Sequence, residues 1–242
     1  MFLLIAAVRS VLAYLFVIFY VLIIGPIGIT LALLLRSPAL LFALGLFAVR
    51  TALGLTGVRH RVTGAEHIQR NRAAVYCVNH TSNIEPPVLL VALRELLPRF
   101  RILYKAELRA LPILVWAFDL VGFVPIERRN RDQSVQAIDR AAAGLREGNS
   151  FLIFPEGTRS RTGELLPFKK GGFIMAIKAA APIVPTVIRG ARDAMKKGSP
   201  IVRPVVMDVR FGRPIETAGL TIDDRDRIVQ QVRREIEGML RA

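Results

Sequence analysis

The first 65 residues of this 242-residue chain contain no aspartate or glutamate; the first acidic side chain is Glu66. Cysteine is nearly absent too. A single one, Cys77, excludes an internal disulfide and suits a reducing compartment. With three histidines (His60, His67, His80) it makes no recognisable zinc spacing, so no metal is expected. There is no G-x-S-x-G elbow, Walker A loop, strand-following G-x-G-x-x-G or H-E-x-x-H sequence. That removes the usual serine hydrolase, P-loop and Rossmann readings. Helix-turn-helix, zinc-finger and RNP-like patterns are missing as well. The formal net charge of +15 therefore finds a simpler partner in an anionic lipid surface than in nucleic acid, although part of the excess can serve solubility.

What is present is apolar. Hydrophobic residues make up 52% of the chain and the mean hydropathy is +0.42, high for a soluble protein. The excess sits at the start, where Arg9, Arg36, Arg50, Arg59 and Arg61 are the only charges before Glu66. Ser10–Leu35 is uncharged and longer than the roughly 20 residues a helix needs to cross a bilayer core. Pro38–Val49 is too short to span comfortably and reads as a returning or interfacial helix. A cleaved signal peptide would carry a shorter apolar region and a small-residue cleavage site, so residues 1–58 are expected to be a retained helical membrane anchor. Pro26, with Gly25 and Gly28, is expected to kink or break the first segment. A single span and a hairpin dipping into one leaflet fit equally.

From about Val62 the pattern alternates between strand and helix. Strands are expected at 73–78, 102–104, 121–126, 151–154, 182–188 and 205–211; helices at 86–97, around 106–117, and at 132–147, 172–181 and 223–240. Strands separated by helices predict an α/β fold with a largely parallel sheet flanked by helices. In such sheets chemistry collects beyond the carboxyl ends of the strands.

Two segments fall at such ends. The first, N79-H-T-S-N-I-E85, supports two readings. Ser82 and Glu85 have the spacing of a capping box opening the next helix. Equally, a carboxylate beside His80 would fix its tautomer and stabilise the imidazolium formed when it accepts a proton. The second, F154-P-E-G-T-R159, ends in an arginine whose planar fork suits a phosphate. Arg128-Arg129 and Lys169-Lys170 also follow or precede elements at this edge, and together they suggest a convergent anion site. Cys77 lies inside an apolar strand and reads as a core residue rather than a thiol nucleophile.

N79-H-T-S-N-I-E85, G122-F-V-P-I-E-R128, F154-P-E-G-T-R159 and V184-P-T-V187, in that order, resemble the four sequence blocks of the glycerolipid acyltransferase family, the 1-acyl-glycerol-3-phosphate acyltransferases in particular. The resemblance covers roughly residues 60–215. It implies a catalytic domain over residues 59–242, bound to the inner membrane of a bacterium with its active site on the cytoplasmic side. The reaction implied is transfer of an acyl chain from acyl-CoA or acyl carrier protein to the sn-2 hydroxyl of lysophosphatidic acid, giving phosphatidic acid without a cofactor. His80 would be the general base and Glu85 its partner. Arg128, Glu156, Gly157, Thr158 and Arg159, with Lys105 nearby, would bind the acceptor; Val184–Val187 would line the acyl side or support the sheet. The family's first block ends in aspartate, whereas this chain carries Glu85. Another lyso-lipid acceptor, or a non-catalytic binder of anionic membranes, are the alternatives.

Overall fold

The computed structural model describes residues 1–127 and 130–242. The chain opens with α1 (Phe2–Phe19) and α2 (Gly25–Leu34), joined by a turn of π-helix at Tyr20–Ile24. Of the kink or break expected at Gly25-Pro26, the break does not occur; the helix widens by a π turn. Proline lacks an N–H and its ring crowds the carbonyl four residues back. A π turn, closed by Gly25 N–H donating to Tyr20 O, makes room without ending the helix. α3 (Pro38–Thr56) then returns antiparallel to this pair. It is 19 residues long, exceeding the Pro38–Val49 piece, because the helix tolerates Arg50 and Thr51 and stops only where Gly57 turns left-handed at φ +76°. Phe2–Leu34 and Pro38–Thr56 are both long and apolar enough to cross a membrane, with mean hydropathies of 2.6 and 1.8.

The elements that follow are β1 (Arg59–Thr63), β2 (Val75–Val78), α4 (Glu85–Ala92), β3 (Phe100–Lys105), α5 (Pro112–Leu120), β4 (Val124–Ile126) and α6 (Arg131–Arg146). Then come β5 (Ser150–Ile153), α7 (Gly171–Lys178), β6 (Ile183–Arg189), α8 (Ala191–Ala194), β7 (Val206–Phe211) and α9 (Arg225–Arg241). β1 escaped the sequence reading because its R-H-R start is polar and it lies at a sheet edge, mostly exposed, without the alternation of a half-buried strand. The expected helix around 106–117 is split into a 3-10 turn at Ala106–Ala110 and α5, since Pro112 opens a helix but cannot continue one.

The sheet order is β1-β7-β6-β2-β5-β3-β4. Among the described strands only β6 and β7 pair antiparallel, apart from an isolated antiparallel bridge of Ile183 to Ile215, so the sheet is largely parallel as expected. Every side chain of β2 and β5 is buried, which explains why both read as unbroken apolar runs. Along β2, Tyr76 and Val78 pack toward α4 and α8, whereas Val75 and Cys77 pack toward α6, α7 and α9. Ala137, Ala141 and Ala142 give α6 a small-residue face that lies close on the sheet. Deep burial of Tyr76, Phe100, Phe151 and Phe211 stabilises the fold by roughly 1.5–3 kcal/mol each.

The N-terminal helices do not stand free of this unit. Ser10 Oγ accepts from Val202 N–H at 2.8 Å, and Tyr14 OH donates to Pro200 O at 2.6 Å. Farther along, Gly25 lies against Ile113 of α5, and the Phe42 and Phe123 rings meet at 6.2 Å. Ile29, Ala32, Leu41 and Phe42 form one small core with Val121. Trp116 of α5, the chain's one tryptophan, and Leu111 just before the helix are exposed.

Candidate active site

His80 lies two residues beyond the end of β2, at the edge where β3, β4, β5 and β6 also finish. The main-chain ladder no longer holds it there. Instead the Asn79 side chain bridges to β6, accepting from Ile188 N–H at 2.8 Å and donating to Ile188 O at 3.1 Å. The His80 ring stacks on Phe154, the residue after β5, with centroids 4.0 Å apart and planes 26° from parallel.

Glu85 opens α4, with its side chain fully buried. Its Oε2 stands 2.7 Å from His80 Nδ1, and its Oε1 accepts from Thr81 N–H (2.8 Å), Thr81 Oγ1 (2.7 Å) and Ser82 N–H (3.0 Å). Four donors on one carboxylate explain how a charge is held where no water reaches it. An ionised carboxylate only accepts, so the shared proton sits on Nδ1 and Nε2 keeps its lone pair. The capping reading survives in half. Glu85 reaches back to Ser82 N–H, but Ser82 Oγ donates to Met195 O at 2.7 Å and accepts only from Ile84 N–H at 3.4 Å. The first helical residue is Glu85, one position ahead of the expected start at Pro86, so Ser82 is not its N-cap.

The 154–159 segment folds over the same histidine. Glu156 is buried, its Oε1 accepting from His80 N–H at 2.7 Å and its Oε2 from Leu166 N–H at 2.9 Å. Burial, opposed by these two hydrogen bonds, raises its carboxyl above the usual range. Gly157 has φ +69°, which favours glycine; a side chain there would meet Lys169 Cε at 2.9 Å and push that flexible side chain aside. Thr158 is exposed. Arg159 is half-buried, its carbonyl accepts from Lys197 Nζ at 2.9 Å, and its guanidinium has no hydrogen-bond partner among the described residues. Ser160 N–H donates to His80 O at 2.8 Å.

Lys105 ends β3, two strand spacings from β2 or about 10 Å across the sheet. It is exposed and pairs with Glu107 at 2.8 Å. Arg128 and Arg129 lie outside the described residues. Of the Lys169-Lys170 pair, Lys169 comes to the site under Gly157, whereas Lys170 pairs with Asp226 at 2.7 Å on an exposed surface. Pro185, Thr186 and their neighbours are buried in the middle of the sheet. Cys77 is fully buried, and burial pushes its thiol well above the usual value, as befits a core residue. Phe154, Thr81, Asn79 and Lys197 belong to the site but were given no role from the sequence. The first three lie in or beside the blocks, so block membership could have flagged them; nothing in the sequence signals Lys197.

Fold and site together define an α/β domain with a carboxylate-paired histidine at the carboxyl edge of its sheet. The sequence model described as Acyltransferase matches residues 59–189. Over 211 residues the chain is 34% identical to the 1-acyl-sn-glycerol-3-phosphate acyltransferase of Limnanthes douglasii, covering 85% of this chain and 73% of that one. It is 31% identical over 193 residues to the alpha form of the same enzyme from Homo sapiens, covering 75% and 64% of the two chains. The crystal structure of the 1-acyl-sn-glycerophosphate (LPA) acyltransferase from Thermotoga maritima superposes with a TM-score of 0.81 over 99% of this chain and 98% of that one; at 23% identity this likeness concerns the fold. The chain belongs to the acyltransferase family.

Proposed function

We propose that this protein is a membrane-bound 1-acyl-sn-glycerol-3-phosphate O-acyltransferase with His80 as general base. The observation that carries the reading is the 2.7 Å contact from His80 Nδ1 to a fully buried, four-times-hydrogen-bonded Glu85, which leaves Nε2 as the free basic nitrogen. Nε2 takes the proton of the sn-2 hydroxyl as its oxygen attacks the thioester carbonyl. The carbon–oxygen bond forms, the carbon–sulfur bond breaks, and the departing thiolate takes the proton from the imidazolium. The charge of Glu85 stabilises the imidazolium between those steps. No cofactor enters. Arg128, Thr158 and Arg159 would bind the acceptor phosphate, with the exposed Lys105 at the rim, and the donor is acyl-CoA or acyl carrier protein. Glu85 spans to the imidazole as the family's aspartate would, because it starts the helix and its longer stem reaches back over Thr81 and Ser82.

An apolar cavity of about 490 Å³ lies between α1–α3 and the catalytic unit. Ile84, Pro86 and Pro87, the neighbours of Glu85, form part of its wall with Leu90, Phe118 and Phe123. Its size and lining suit an acyl chain delivered to His80. Because α1 and α2 touch residues 200–202 and α5 along their length, the reading favours a hairpin entering a bilayer from one face over a pair of free spans. An inner-membrane, cytoplasm-facing site follows from the family resemblance. A lysophospholipid with a different headgroup is the second reading, favoured only by the generality of the cationic groups. The test is thiol release from acyl-CoA or acyl carrier protein by purified protein across a panel of lyso-lipids. Release dependent on lysophosphatidic acid supports the proposal; no release with any acceptor in the panel would leave only membrane binding.

A further inference from the structure

We propose that Glu156 is a positioning residue that holds the base through its own peptide group, not a ligand of the acceptor. This rests on the reading of His80 as general base. Both Glu156 oxygens are already used, by His80 N–H at 2.7 Å and Leu166 N–H at 2.9 Å, and the residue is 3% exposed. A carboxylate so placed has no face to offer a substrate, and its charge would repel a phosphate rather than hold it.

What it does hold is the position of His80 along the chain. Beyond Val78 the sheet ladder ends, so the backbone torsions at His80 need other restraints. The 156–160 turn supplies them on both sides of the residue: Glu156 grips its N–H, and Ser160 N–H grips its carbonyl at 2.8 Å. The second Glu156 oxygen carries the grip on to Leu166, tying the strand end to the returning loop. Glu85 and Phe154 then fix only the ring. A shift of the order of 1 Å at such a base costs up to about a hundredfold in rate.

Two substitutions separate positioning from binding, assayed on the full-length protein in detergent–lipid micelles. Glu156→Gln keeps one acceptor for His80 N–H but turns a donor toward Leu166 N–H, and it removes the charge. The expected result is kcat lower by roughly 10- to 100-fold and acceptor KM within about twofold. Glu156→Asp keeps the charge but withdraws it by one methylene; kcat should fall while acceptor KM stays within about twofold. Should Glu156→Gln fail to fold, Glu156→Asp alone decides through the ratio of kcat to KM effects. A raised acceptor KM with kcat preserved, or no change in either variant, would overturn the proposal. Absence of acyl transfer by the wild type would instead overturn the function on which it rests.

Discussion

The N-terminal hairpin and the loops around His80 both pack against the same α/β unit, but by opposite means. The hairpin is held by an apolar seam, Ile29, Ala32, Leu41 and Phe42 against Val121, Ile113 and Phe123, with a few hydrogen bonds such as those of Ser10 and Tyr14. The loops are held by directed bonds: Glu85 has four donors, Glu156 two, and Asn79 pairs with both polar groups of Ile188. An apolar seam tolerates small shifts because dispersion and burial are not directional. A constellation of 2.7–3.0 Å bonds around Glu85 and Glu156 does not, and it is used where an atom must be placed rather than a surface covered.

The largest effect should come from the directed side. His80→Ala is expected to lower turnover by about 10³-fold with little change in melting temperature; unimpaired acyl transfer would refute the mechanism. For Glu85→Gln, turnover should drop about a hundredfold and stability by about 1–3 kcal/mol, because an amide cannot accept from all four donors; urea denaturation alongside the rate assay checks both, and normal turnover would reduce Glu85 to a structural residue. Arg159→Ala should raise acceptor KM about tenfold at nearly constant kcat, and a change confined to thioester use would move Arg159 to the donor. On the seam side, Ser10→Ala removes both bonds to Val202. It should cost about 1 kcal/mol, seen as a drop of about 2–4 °C in Tm, and leave kcat unaltered. A larger loss of activity from Ser10 than from Arg159 would break the contrast between the two regions.

Most of the sheet was legible because its central strands are short apolar runs separated by periodic helices; β2 and β5 fall close to where the sequence puts them. β1 was illegible because an edge strand with Arg59 and Arg61 exposed has no buried face to show. The π turn was hidden because a proline in a helix can be met by a break, a kink or a widened turn, and the local sequence is the same in all three. At the site, His80 and Glu85 could be read from spacing. The two-sided grip of the 156–160 turn on the His80 peptide could not, since it consists of main-chain groups that every residue carries.

Trp116 gives the molecule an optical label of its own. It is the chain's sole indole, it is 58% exposed, and it sits on the helix that adjoins the hairpin. Excited beyond the absorption of the tyrosines, its emission colour therefore records whether this side of α5 faces water or hydrocarbon, with no dye attached.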